Sequence, residues 1–251
     1  HFAEFRVVES RMLIFVDDAA KDRRSYLPSI AQLQLLYNNV ETFSAVPAII
    51  RDGGQAFHDL GTPKNGGTRL VCISGHVNKP GVYELPLGFP MMKAINEVAG
   101  GMRGGKKLKA VVPGGSSCPI LRAEECDIPM DYDNLARVGS MLGAGGMVVL
   151  DEDTDMVKFA LRIMRFYQHE SCGWCIPCRE GTTWLRKILQ RFADGHGRRE
   201  DVALIGELSK NMLGRTFCAL GDAAAMPTIS IVEKFTADFE KYLAAKEAVT
   251  V

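Results

Sequence analysis

The chain has 251 residues, 47% of them hydrophobic and 8% aromatic, which is enough to bury a core and long enough for more than one domain. Thirty basic and thirty acidic residues cancel and are interspersed, which argues against a nucleic-acid or anionic-membrane surface and leaves proteins as the expected partners. No apolar run reaches the roughly 18 residues of a membrane span, and the opening HFAEFRVVESRMLIF lacks the basic-then-apolar layout of a secretory signal, so a soluble, reducing setting is expected.

The start on His1 instead of Met reads as a fragment or a processed chain, and residues 1–30 carry no motif. From Pro28 to Ile50 apolar residues recur at helical spacing (Leu33, Leu36, Val40, Phe43), which predicts two helical pieces around the polar YNNVET. Within it Asn38, Asn39 and Thr42 need partners if buried, and helix capping accounts for them. RDGGQAFHDLGTPKNGGTR reads as a linker with one helical turn, and a boundary falls near residue 68.

Beyond it RLVCISGHV and GVYELP flank Asn78, Lys79, Pro80 and Gly81 and predict a hairpin. FPMMKAINEVAGG predicts a short helix stopped by Gly100 and Gly101, and KLKAVVPGG and MVVLD predict two more strands. Gly114, Gly115 and the GAGG run at 143–146 lack phosphate-loop spacing and read as turns. From Thr154 onward the apolar residues recur at three and four spacing, as in a helical bundle. Thr154 or Asp155 is expected to start its first helix, and Pro227 to open its last. The fold class expected is α+β, divided into 1–68 (edge of another region plus linker), 69–150 (strand-rich module) and 151–251 (helical).

ESCGWCIPCREG places Cys172, Cys175 and Cys178 at i, i+3 and i+6, and Cys218 in GRTFCALGDAA follows two predicted helices later. Such a triplet can cap three corners of an Fe–S cube from one turn while the remote thiolate closes the fourth, which points to a [4Fe-4S] cluster. A helix beginning near Arg179 would aim its N–H groups at the sulfurs, and the Arg179 charge would sit beside an anionic centre. Structural zinc held by four cysteines, a thioredoxin-like CxxC pair and coincidental core cysteines are the rival readings. Cys72 in its β run reads as a small buried hydrophobe, Cys118 and Cys126 as structural or incidental, and His169 as a bundle histidine.

LYNNVETFSAVPAII, the module from Arg69 to Leu150, ESCGWCIPCREGTTWL and GRTFCALGDAAAMP together resemble the NADH-binding flavoprotein subunit of respiratory complex I, over most of the chain. The resemblance implies an SLBB, β-grasp-like module followed by a helical bundle holding the cluster. It further implies FMN contacts at Asn38, Asn39 and Thr42 and cluster ligation by Cys172, Cys175, Cys178 and Cys218. NADH is then the substrate of the complete subunit, and electrons pass from FMN through the cluster toward quinone. Implied partners are the 24 kDa-type [2Fe-2S] subunit and the large Fe–S subunit of the hydrophilic arm, with the membrane reached only through the complex. The implied location is the cytoplasmic face of a bacterial inner membrane, or the matrix side in mitochondria. Diaphorase subunits of NAD-reducing hydrogenases and subunits of NAD-dependent formate dehydrogenases share these modules, and a metal-stapled docking scaffold is the non-redox alternative. HFAEFRVVESRMLIFVDDAAKDRRSY does not match the family's glycine-rich FMN and NADH domain, so the isolated chain is expected not to oxidise NADH.

Overall fold

The computed structural model describes residues 5–8, 11–15 and 35–249, with side chains described over residues 39–244. The chain divides into two compact units, His1–Gly67 and Thr68–Val251.

In the first unit β1 (Phe5–Val8), β2 (Arg11–Phe15) and β3 (Leu35–Asn39) form an antiparallel sheet with β2 in the centre. Helix α1 (Val40–Asp52) starts directly after β3, because Asn39 Oδ1 accepts the Glu41 N–H at 2.8 Å and caps the helix. This corrects the expected pair of helices. Leu35 and Leu36 belong to a strand whose partner is Phe15 and Ile14, a pairing remote in sequence that the local spacing cannot register. The part of that expectation before Leu35 lies outside the described residues. The linker's helical turn is α2 (Gly54–His58).

In the second unit β4 (Thr68–Gly75) and β5 (Gly81–Pro86) form the expected antiparallel hairpin. Helix α3 (Met91–Lys93) continues into a wide turn, Ala94–Val98, closed by the Ala99 N–H on the Ala94 carbonyl at 2.9 Å. β6 (Leu108–Val112), β7 (Leu121–Arg122), α4 (Tyr132–Arg137) and β8 (Gly146–Asp151) complete the module. The sheet order is β5-β4-β8-β6-β7, with β8 parallel to β4 and antiparallel to β6. β7 and α4 were not expected. One is two residues long, and the other starts where the Asp131 carboxylate caps the Asn134 N–H at 2.7 Å.

β6 and β8 are covered on both faces, which explains their unbroken apolar runs AVV and VVL, whereas β4 is buried on one face only and alternates. Val111, Met147 and Val149 join Val71, Ile73, Ile95 and Leu135 in one core. Their neighbours Ala110, Val112 and Leu150 face the other way into a second core with helices α5 (Met156–Glu170), α6 (Ile176–Ala193), α7 (Arg199–Met212), α8 (Leu220–Lys234) and α9 (Thr236–Val249). Phe192 of α6 meets Phe239 of α9 edge-on, with centroids 5.3 Å apart. At the glycine turns the backbones touch: a Cβ on Gly114 would lie 2.0 Å from the Leu142 carbonyl oxygen.

Asp155 caps α5 by accepting the Val157 and Lys158 N–H groups, as expected. Pro227 does not open the last helix. It lies inside α8, where it lacks the N–H that would reach Ala223, and the last helix begins at Thr236 after a break at Phe235. Cys72 is exposed and not buried as expected, because strand alternation turns Val71 and Ile73 inward and Cys72 outward. Cys118 and Cys126 are buried, and burial pushes their thiols up to about 11 and about 12.

Candidate iron–sulfur site

The candidate ligands lie on two loops that each feed a helix N-terminus. The first leaves α5 at Ser171, whose N–H still bonds the Tyr167 carbonyl at 3.0 Å, and turns through Gly173 at φ +78, a left-handed conformation that glycine tolerates. Cys175 is the N-cap residue of α6, and Pro177 in the first turn lacks an N–H that would be unpaired there anyway. The helix therefore starts at Ile176, earlier than the expected Arg179, and Cys178 sits in its first turn at 7% exposure. The Thr182 hydroxyl donates to the Cys178 carbonyl at 2.7 Å. Cys172 is exposed and Cys175 half-buried.

The second loop runs between α7 and α8. The Gly214 N–H donates to Asp222 at 2.7 Å, and the Thr216 hydroxyl donates to the Cys218 carbonyl at 2.8 Å, so the loop is fixed on both sides of Phe217. The Phe217 N–H then donates to Cys175 Sγ at 3.3 Å and joins the two loops. This contact brings the remote Cys218 to the triplet. Burial pushes the Cys178 thiol up, the Ser171 hydroxyl opposes the rise, and Cys218, Cys172 and Cys175 add to it, so all three sulfurs act on Cys178 electrostatically. A bound cation reverses such a rise by favouring thiolate.

The donor set suits a cluster. Among the described residues no three His, Cys, Asp or Glu side chains already stand in the geometry of a metal site. A cube takes one thiolate at each of four corners, as the three-plus-one arrangement offers. The N-termini of α6 and α8 both adjoin the cysteine loops, and their positive dipole ends favour an anionic centre. The start of α8 at Leu220, directly after Cys218, was not foreseen.

Arg179 is tied to the cysteine turn that precedes it. Its Nη1 donates to the Gly173 carbonyl at 2.8 Å and its Nε to Glu180 at 2.9 Å, so it staples the cysteine turn while Glu180 balances its charge. His169 lies on the surface, not in the bundle interior, at 85% side-chain exposure beside Glu170. Two features escaped the sequence reading. Trp174, Ile176 and Phe217, interleaved with the cysteines, stand 83%, 64% and 95% exposed. Ser171 Oγ lies 3.3 Å from Cys178 Sγ; its position next to Cys172 was the signal available in the sequence.

In the other unit, Asn39 spends its Oδ1 on capping α1, which leaves the amide NH2 as what it can offer a ligand. Thr42 is exposed in the first turn of α1, and the Asn38 side chain lies outside the described residues.

Residues 158–242 match the model of the NADH-ubiquinone oxidoreductase-F iron-sulfur binding region, and residues 69–157 match the SLBB domain. The chain is 45% identical over 219 residues to the second F-type subunit of the NADH-quinone oxidoreductase of Rhizobium meliloti (strain 1021), covering 86% of this chain and 52% of that protein. It is 44% identical over 205 residues to the F-type subunit of the NADH-quinone oxidoreductase of Rickettsia typhi (strain ATCC VR-144 / Wilmington), covering 81% and 49%. The chain thus spans about half the length of these relatives. Among solved structures, an NAD+-reducing [NiFe]-hydrogenase in the H2-reduced state superposes with TM-score 0.73 at 32% identity, covering 82% of this chain and 34% of that one. With an iron–sulfur binding region following an SLBB domain, and this identity to relatives of one kind, the chain belongs to the family of NADH-quinone oxidoreductase F-type subunits.

Proposed function

We propose that Cys172, Cys175, Cys178 and Cys218 hold a [4Fe-4S] cluster and that the chain is the electron-transfer part of an NADH:quinone oxidoreductase flavoprotein subunit. The observation that carries this reading is the Phe217 N–H on Cys175 Sγ, which joins the loop of Cys218 to the loop of the triplet. A cluster bound there supplies one-electron transfer. The chain's own residues hold the thiolates in place. Gly173 and Arg179 fix the turn, Thr182 and Thr216 fix the peptides of Cys178 and Cys218, and two helix N-termini offset the negative charge.

Asn39, Thr42 and Asn38 are proposed to line one edge of an FMN site that receives a hydride from NADH, with Asn39 donating through its NH2. The proposed setting is a multi-subunit assembly with the 24 kDa-type [2Fe-2S] subunit and the large Fe–S subunit as neighbours. Among the described residues no helix is long and apolar enough to cross a membrane. Attachment through the complex, on the cytoplasmic or matrix side, is therefore part of the proposal. The likeness to the NAD+-reducing [NiFe]-hydrogenase favours one second reading, the equivalent diaphorase-type subunit.

Iron and acid-labile sulfide analysis of the anaerobically purified chain tests the cluster, with about four of each and an S = 1/2 resonance after dithionite reduction as the expected result. Cys218→Ser should lose that resonance despite its distance in sequence. Stoichiometric zinc without a resonance would overturn the reading in favour of a docking scaffold.

A further inference from the structure

We propose that Ser171 sets the reduction potential of the cluster by donating its hydroxyl hydrogen to Cys178 Sγ. The inference rests on the proposed function, in which Cys178 is a cluster ligand. Ser171 Oγ lies 3.3 Å from Cys178 Sγ, and as free side chains either atom could supply the hydrogen. A cysteine bound to iron is a thiolate and has no proton to give, so the serine is then the donor. The Gly173 N–H approaches Ser171 Oγ at 3.4 Å, a long contact that occupies an oxygen lone pair and leaves the hydroxyl proton free to turn to sulfur. Arg179 holds the Gly173 carbonyl at 2.8 Å, so the peptides that aim Ser171 are themselves fixed. Two sulfurs of the set receive a described hydrogen bond. Cys175 takes its own from the Phe217 backbone, which substitution cannot remove, whereas Cys178 takes its own from a side chain.

A cluster held here would, on taking up one electron, carry more negative charge on its thiolate sulfurs. A donor on a sulfur stabilises the reduced form more than the oxidised form and raises the potential. Cys178 is the most buried of the four cysteines, so solvent competes least for its sulfur.

The test compares Ser171→Ala and Ser171→Thr with the unaltered chain, all purified anaerobically. Iron content is measured first, then the midpoint potential by EPR-monitored titration. At one ambient potential Ser171→Ala should show a reduced-to-oxidised ratio lower by up to about tenfold, equal to about 59 mV for a one-electron couple. Ser171→Thr, which keeps the hydroxyl, should stay near the unaltered value. A fully loaded Ser171→Ala with an unchanged midpoint overturns the inference. So does a folded Ser171→Ala that loses its iron, because Ser171 would then serve to retain the cluster and not to tune it. If Ser171→Ala does not fold, Ser171→Gly removes the same hydroxyl and is judged by the same outcomes. Absence of a four-iron resonance from the unaltered chain would instead defeat the cluster reading itself.

Discussion

Replacing Asp238 by Asn should loosen the joint between the sheet and the helices. Asp238 Oδ2 accepts from Lys109 Nζ of β6 and from the Met156 N–H at the start of α5, at 2.5 and 3.2 Å, and Oδ1 accepts from Lys241 of α9 at 3.0 Å. One carboxylate thus ties a strand to two helices. Deleting one member of a well-buried pair costs about 3–5 kcal/mol. The Lys109 side chain remains 18% exposed and keeps the Thr154 carbonyl, so the expected loss is about 2–3 kcal/mol. For a unit of this size that lowers the unfolding temperature by roughly 5–10 °C. Urea unfolding should show a lower midpoint at unchanged slope. Lys109→Met added to Asp238→Asn should recover much of the loss, since the stranded ammonium is then gone. If the two substitutions destabilise additively, the pair is not the source of the stability and the reasoning fails. Acid gives an independent check. Burial pushes the Asp238 carboxyl up, but hydrogen bonds from Lys109, Lys241 and the Met156 N–H, with the Lys109 charge, outweigh it and leave the group below its ordinary 3.8. The unfolded chain therefore takes up the proton first. The contribution is complete well above pH 3.8 and is lost as pH falls through the lower folded value, so the deficit of Asp238→Asn should shrink in acid.

Gly114→Ala should destabilise by more than about 2 kcal/mol, because its Cβ would meet the Leu142 backbone at 2.0 Å; a thermal midpoint within the error of the unaltered chain would refute the contact. Phe192→Ala removes a fully buried ring and its edge contact with Phe239, and should cost about 3–5 kcal/mol in urea unfolding.

What the sequence disclosed was local. The Asn-Lys-Pro-Gly turn between β4 and β5, the Asp155 cap and the cysteine triplet are each set by residues within a few positions of one another. What it hid depends on distant partners. Leu35 and Leu36 are spaced like a helix face yet pair with β2, and Pro227 marks a helix start by chemistry yet lies buried within α8. The contacts on sulfur were less legible. One comes from the backbone of Phe217 on the opposite loop, and the other from a serine marked in sequence only by its place beside Cys172. Asn39 was legible as a cap, because its geometry with Glu41 spans only two residues.

If the proposed electron-transfer role holds, the sheet that serves two cores has a consequence for electron tunnelling, whose rate falls steeply with separation. Ala110, Val112 and Leu150 are anchored among the helices that carry the cysteine loops, while Val111 and Val149 are anchored in the opposite core. Sliding one layer over the other would tear both packings at once, so the module cannot drift relative to the cysteines without unfolding. In the assembly proposed above, a neighbour that held this module would therefore also fix how far its own redox centre stood from the cysteine loops, and the strands would act as a spacer of constant length.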